Sequence, residues 1–125
     1  MANCNLETLE RFASAALSGD AATLKALADP AMLLHQGAGL PYAGTFHGPE
    51  GFLEFMGIFG ETYDIQHFAT VRSFVGDDPD WVAVEFAMRA TVRKTGAPFE
   101  TTLVELWRFQ DGKVVEIRPH YFNTP

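Results

Sequence analysis

Four side chains of types that can move or stabilise protons stand in the parts of this 125-residue chain richest in apolar residues: His35, Arg89, Glu105 and His120. An imidazole titrates near neutrality and can both take and give a proton, so His35 and His120 are the candidate general acid–base groups. Arg89 completes the catalytic set. Tyr42, Trp81, Leu103, Glu105, Trp107 and Phe122 are the candidate substrate-binding wall around it. A plainer reading competes at each position. Either histidine can serve as a hydrogen-bonding member of a mixed core, Glu105 and Arg118 as a cross-strand ion pair, and the aromatic residues as ordinary core. His47 and His67 fall on a loop or a strand edge and read as surface.

Asp111-Gly112 between two apolar runs is a two-residue hairpin signal, and it proposes a register. Pairing Gln110 with Lys113 sets Trp107 opposite Glu116, Glu105 opposite Arg118 and Leu103 opposite His120. Alternation then puts Leu103, Glu105, Trp107, Arg118, His120 and Phe122 on one face. Pro119, with no N–H for the ladder, marks a place where a bulge can interrupt that pairing.

The rest of the chain supplies the frame. Leu6, Leu9, Phe12, Ala13, Ala16 and Leu17 recur at helical spacing. Gly19 and Asp20 end that helix and cap a shorter one through Leu24 and Leu27, which Asp29-Pro30 stops. Met32–Gln36 reads as a short buried strand, followed by a Gly-rich loop and a brief strand at Thr45–His47. Pro49 opens a third helix bearing Phe52, Phe55 and Phe59. Four strands follow: 65–75, 81–92, 99–110 and 113–122. On the second of these, Val82, Val84, Phe86 and Met88 form a stripe opposite Glu85, Arg89 and Thr91. Helices first and strands last describe an α+β layer pair in one domain.

Two segments carry a family resemblance. Leu40-Pro41-Tyr42-Ala43-Gly44-Thr45-Phe46-His47-Gly48-Pro49-Glu50-Gly51 resembles the loop-to-helix segment of SnoaL-like polyketide cyclases. Glu105-Leu106-Trp107-Arg108-Phe109-Gln110-Asp111-Gly112-Lys113-Val114 resembles their hairpin. The resemblance, to the SnoaL-like (ketosteroid isomerase-like) group of the nuclear transport factor 2-like superfamily, implies a cone: a curved antiparallel sheet wrapped around three helices of the N-terminal half, with a pocket in its mouth. It says little about the reaction, since the fold hosts isomerases, cyclases, epoxide hydrolases, dehydratases and binders. By strand order, the limonene epoxide hydrolases resemble the same strands. Arg89 falls at their arginine, Thr91 and His120 at their two aspartates, His35 near their tyrosine and Gly37 near their asparagine. Both acids are missing, which argues against that hydrolysis. Ketosteroid isomerase needs an aspartate base near the first strand, where this chain has His35.

Composition narrows the classes. A net charge of −7 disfavours nucleic acid. No apolar run approaches the roughly 18 residues that span a bilayer. The first residues lack a secretory pattern, so a cytoplasmic location is expected. Cys4 is the single cysteine, no His-Glu-x-x-His spacing occurs, and neither metal nor cofactor is expected. The expected partners are a hydrophobic small molecule and a second copy of the chain. That homodimer would form through an outward-facing Val82/Val84/Phe86/Met88 stripe beside Val104, Leu106 and Ile117. The expected function is isomerisation, cyclisation or dehydration of a hydrophobic carbonyl compound by histidine acid–base chemistry. The alternative is non-catalytic ligand binding or an interaction domain on the same fold.

Overall fold

Helix α1 (Cys4–Ser18) forms where the three- and four-residue spacing predicts it and buries Leu9, Phe12 and Ala15. The computed structural model describes residues 4–125; the start of the segment read above as lacking a leader, Met1 to Asn3, lies outside the described residues. Gly19 at φ 74° ends the helix. The Asp20 carboxylate accepts the Thr23 backbone N–H at 3.1 Å and so caps α2 (Ala21–Leu27). The chain then runs directly into β1 (Ala28–Gln36), so Asp29-Pro30 ends the helix as expected but already lies in a strand. Pairing of β1 with the last strand is interrupted between Ala28 and Leu33, the stretch containing the proline.

The remaining elements are β2 (Gly44–His47), α3 (Gly48–Thr62), β3 (Tyr63–Val75), β4 (Trp81–Val92), β5 (Pro98–Gln110) and β6 (Lys113–Tyr121). They form one curved, unclosed sheet in the order β2-β1-β6-β5-β4-β3. The expected all-antiparallel sheet is corrected at one place: β1 and β6 pair in parallel, with Leu34 beside Ile117. The meander leaves one edge of β6 free, and β1 occupies it in the same direction.

Helices α1 and α3 cover one face of this sheet, here called the inner face. On β4 that face carries Val82, Val84, Phe86, Met88 and Ala90, none more than 3% exposed. The stripe expected to face a second subunit is therefore the core. Burying it rather than Glu85, Arg89 and Thr91 avoids placing charges under the helices, each of which would cost several kcal/mol. Phe12 joins the layers, meeting the rings of Phe52 at 4.9 Å and Trp107 at 5.3 Å, both edge-on.

The Asp111-Gly112 turn has φ of 52° and 75°, the left-handed pair that a type I′ hairpin needs. Gln110 pairs with Lys113 as predicted and Phe109 with Val114, but Arg108 then pairs with Glu116. Val115 is the extra residue of a β-bulge, and Val114 and Val115 are both buried. Beyond it every partner moves by one: Trp107 meets Ile117, Glu105 meets Pro119, and Leu103 meets Tyr121. The interruption thus lies well before Pro119, and it reverses the face of all that follows.

Candidate functional site

Between the helices and the inner face lies a cavity of about 70 Å³. Its walls are mostly aromatic and aliphatic, Phe12, Phe55, Phe86 and Trp107 among them, and the small side chains of Ala13 and Ala16 on α1 leave room in it. At about 10–15 Å³ per water position, the space suits a few waters or part of a small organic molecule. Three polar side chains reach it: Gln36 from β1, Glu105 from β5 and Tyr121 from β6.

Glu105 is only partly exposed, and one carboxylate oxygen accepts the Trp107 indole N–H at 2.9 Å. Burial among apolar groups pushes its carboxyl up from the ordinary 4.5 to about 7, the Trp107 bond pulling the other way. The Tyr121 hydroxyl accepts a hydrogen bond from Tyr42 at 2.8 Å, and Tyr42 lies 3.3 Å from the hydroxyl of Tyr63. Burial raises all three phenols above their ordinary value, so they stay protonated donors at neutral pH. With Tyr42 donating to it, Tyr121 keeps its own hydrogen for another acceptor. Gln36 is 7% exposed, and its Oε1 has no hydrogen-bond partner among the described residues.

The residues expected from the sequence divide by face. Leu103, Glu105 and Trp107 line the cavity. Tyr42 is buried one shell behind, against Tyr121. The bulge puts His120 on the outer face, exposed and paired with Val104. His35 also points outward, its ring 3.3 Å from Glu116 and 3.2 Å from the Thr45 hydroxyl. The two imidazoles therefore share no cavity. Arg89 is exposed on the outer face near Phe122, which is 86% exposed. Trp81, half-buried on that face, lies under the Arg118 guanidinium at 5.1 Å. Arg118 pairs with Glu116, as does Arg108, and not with Glu105. His47 and His67 are exposed, as read from the sequence. Among the described residues no group of three or more His, Cys, Asp or Glu side chains converges as a metal site would, and no helix is long and apolar enough to cross a membrane.

Two cavity residues were missed, though signals existed. Met32, Leu34 and Gln36 share the buried phase of β1, which by simple alternation turns His35 away. The adjacent apolar pair Val114-Val115 breaks strict alternation and is the sequence trace of the bulge that turns Tyr121 inward.

The model of the SnoaL-like domain matches residues 9–117. The chain belongs to the SnoaL-like domain family. Solved structures agree on the fold. A nuclear transport factor 2-like protein from Burkholderia xenovorans is 20% identical, with a TM-score of 0.83 over 97% of this chain and 91% of that one. Another from Burkholderia thailandensis is 25% identical, with a TM-score of 0.82 over 97% and 92%. A protein from Catenulispora acidiphila with a ketosteroid isomerase-like fold, in complex with trimethylamine, is 16% identical, with a TM-score of 0.75 over 92% and 85%. No curated protein matches the chain. In this SnoaL-like domain the cavity lies between helices and inner face, and among the described residues its one carboxyl is Glu105.

That carboxyl makes folding depend on pH in a defined direction. The unfolded chain gives up the Glu105 proton near pH 4.5, whereas the native state keeps it to about 7. Between these values the native state binds more protons, so its contribution to stability falls as pH rises and is level above. At about 1.4 kcal/mol per pH unit, the expected loss is on the order of 2–3 kcal/mol. Urea unfolding across this window, with Glu105→Gln as reference, measures it. A wild-type-minus-variant stability that stays level or rises with pH would contradict the assignment.

Proposed function

We propose that this SnoaL-like domain binds a small, largely apolar carbonyl compound in the inner-face cavity and moves a proton on it through Glu105. The observation that carries the reading is a carboxyl set in an apolar cavity with its proton affinity pushed up to about 7. A base of that strength is matched to neutral pH. Trp107 occupies one carboxylate oxygen and leaves the other for the substrate. In the proposed reaction Glu105 takes a proton from the carbon next to the carbonyl. Tyr121, whose own hydrogen is free, donates to the oxygen on which charge collects. Glu105 then returns the proton, to the same carbon or to a conjugated one, so the net change is an isomerisation. The outward-facing histidines take no part in this scheme.

The test does not require the natural substrate. Small enolisable ketones incubated with the protein in deuterated water are expected to gain deuterium next to the carbonyl faster than in buffer alone. If native mass spectrometry finds a retained ligand but no ketone exchanges, the protein is a binder and the catalytic half of the reading is lost. A cavity that takes up no small molecule ends both halves.

The dimer is proposed on grounds different from those expected. The outer face carries exposed Phe74 and Val104 beside Leu106, Ala83 and Ala87, and the Arg72–Glu85 pair at 2.9 Å reaches into it, Glu85 standing between Ala83 and Ala87 and opposite Val104. A mixed apolar area of this kind, with its central charge already paired, suits a second copy of the chain. Sedimentation should give a dimer that Val104→Glu dissociates. A wild-type monomer at tens of micromolar, on the order of ordinary assay concentrations, would remove the proposal.

A further inference from the structure

The proposed proton transfer makes no use of Gln36, although its side chain is the least satisfied polar group in the cavity wall. It is 93% buried by its 7% exposure, it lines the cavity, and its Oε1 lacks a partner among the described residues. A buried amide left unpaired is costly, and native structures rarely keep one without a reason. The neighbours supply none. Leu34, one step back on the same face, is apolar, and Tyr121, whose hydrogen Tyr42 leaves free, makes no bond to the Gln36 oxygen. Register places Gln36 with care. Leu34 is beside Ile117 and Ile117 is opposite Trp107; one step further on the same face Pro119 is opposite Glu105, and continuing the β1–β6 register by that step sets Gln36 level with Pro119. Gln36 and Glu105 are thus two strands apart, about 10 Å between backbones. The residue between them is a proline, which offers neither a side-chain hydrogen bond nor an N–H.

We infer that Gln36 is the specificity-determining residue of this cavity, and that it selects a carbonyl compound bearing a hydroxyl group adjacent to the carbonyl. A carboxamide presents an acceptor and a donor side by side, and a hydroxyl next to a carbonyl presents the complementary pair. The match holds whichever way round the amide oxygen and nitrogen lie. A plain ketone offers only an acceptor and leaves Oε1 unpaired. A hydrocarbon leaves both groups unpaired. The apolar walls accept the rest of the molecule, and the size of the cavity limits it to a small one.

The inference rests on the cavity being the binding site but is separable from the role of Glu105. The probes are 2-hydroxycyclohexanone and 2-methylcyclohexanone, which differ by hydroxyl against methyl at one position. Binding is followed by amide chemical shifts. Wild type is expected to favour the hydroxy compound by about five- to a hundredfold, the equilibrium equivalent of one buried polar group left unpaired. Gln36→Met, close in volume, is expected to abolish that preference while keeping the dispersed amide spectrum of a folded chain. Equal binding of the two probes by wild type, or a preference for the methyl compound, overturns the inference. So does failure of both to bind at millimolar concentration, or a preference that survives in Gln36→Met. A cavity water that satisfies Gln36 and stays in place when probe binds gives the first of these results. If exchange depends on Glu105 while the probes are not distinguished, only the role of Gln36 falls. If exchange is absent from wild type while the probes are distinguished, only the proton transfer falls.

Discussion

Glu105→Gln is expected to lower ketone deuterium exchange by about 10²–10⁴-fold, the range that one positioned general base supplies. The substitution keeps the size and shape of the side chain and still accepts the Trp107 N–H, so the cavity wall is retained. What it removes is a group able to take a proton near pH 7. The variant should be at least as stable as wild type at neutral pH, because it no longer pays to hold an ionising carboxyl among apolar neighbours. Loss of exchange together with retained or increased stability separates a chemical role from a structural one. The pH profile gives a second check: exchange in wild type should rise with an apparent midpoint near 7, as the carboxylate form accumulates. His35→Ala and His120→Ala, both altered on the outer face, should exchange at nearly the wild-type rate. Exchange that survives in Glu105→Gln and disappears in His120→Ala would return the chemistry to the histidine and refute the cavity reading.

Inserting one alanine between Val115 and Glu116 is expected to abolish cooperative folding. With the one-residue bulge kept at Val115, each residue of β6 beyond it would move by one position and change face. Ile117 and Tyr121 would turn outward, and Glu116 and Arg118 would turn beneath the helices. Two charges placed there, even as a pair, cost several kcal/mol each before any recovery. Loss of Ile117 from the core adds on the order of 2 kcal/mol. Against a typical domain stability of about 5–15 kcal/mol, that total leaves little or nothing. Val115→Ala keeps the bulge and loses only part of one buried side chain, so it should unfold cooperatively with a loss of about 1–3 kcal/mol. Thermal unfolding followed by near-ultraviolet circular dichroism distinguishes the two. An insertion variant with a sharp transition near that of wild type would mean that the register beyond the bulge does not set the face of β6.

The order of the elements was legible in the chain because local chemistry dictates it. Apolar spacing makes α1, the Asp20 side chain starts α2, Pro49 opens α3, and Asp111-Gly112 can turn a hairpin in two residues because both adopt positive φ. These signals act within a few residues of one another, and together with the two family-like segments they carried the fold class. They also placed Leu103, Glu105 and Trp107 on a common face, since none of them lies beyond the bulge.

Which face meets the helices is a different kind of fact. Strand side chains alternate with a period of two, so a single extra residue reverses everything after it. Whether Val115 is accommodated as a bulge depends on burying both it and Val114, which is a matter of packing. His120 went outward and Tyr121 inward on that one event. The stripe of β4 had two faces with apolar residues, and only α1 and α3, distant in sequence, determined which was covered. The proton affinity of Glu105 belongs to the same class: it arises from residues of α1, α3 and β5 that surround the carboxyl only in the folded chain. Sequence alone determined the elements, the turn and the family. Tertiary packing determined the face each strand presents, and so replaced two histidines with a glutamate, a tyrosine and an unpartnered glutamine, because desolvation is a property of what surrounds a group and not of its place in the chain.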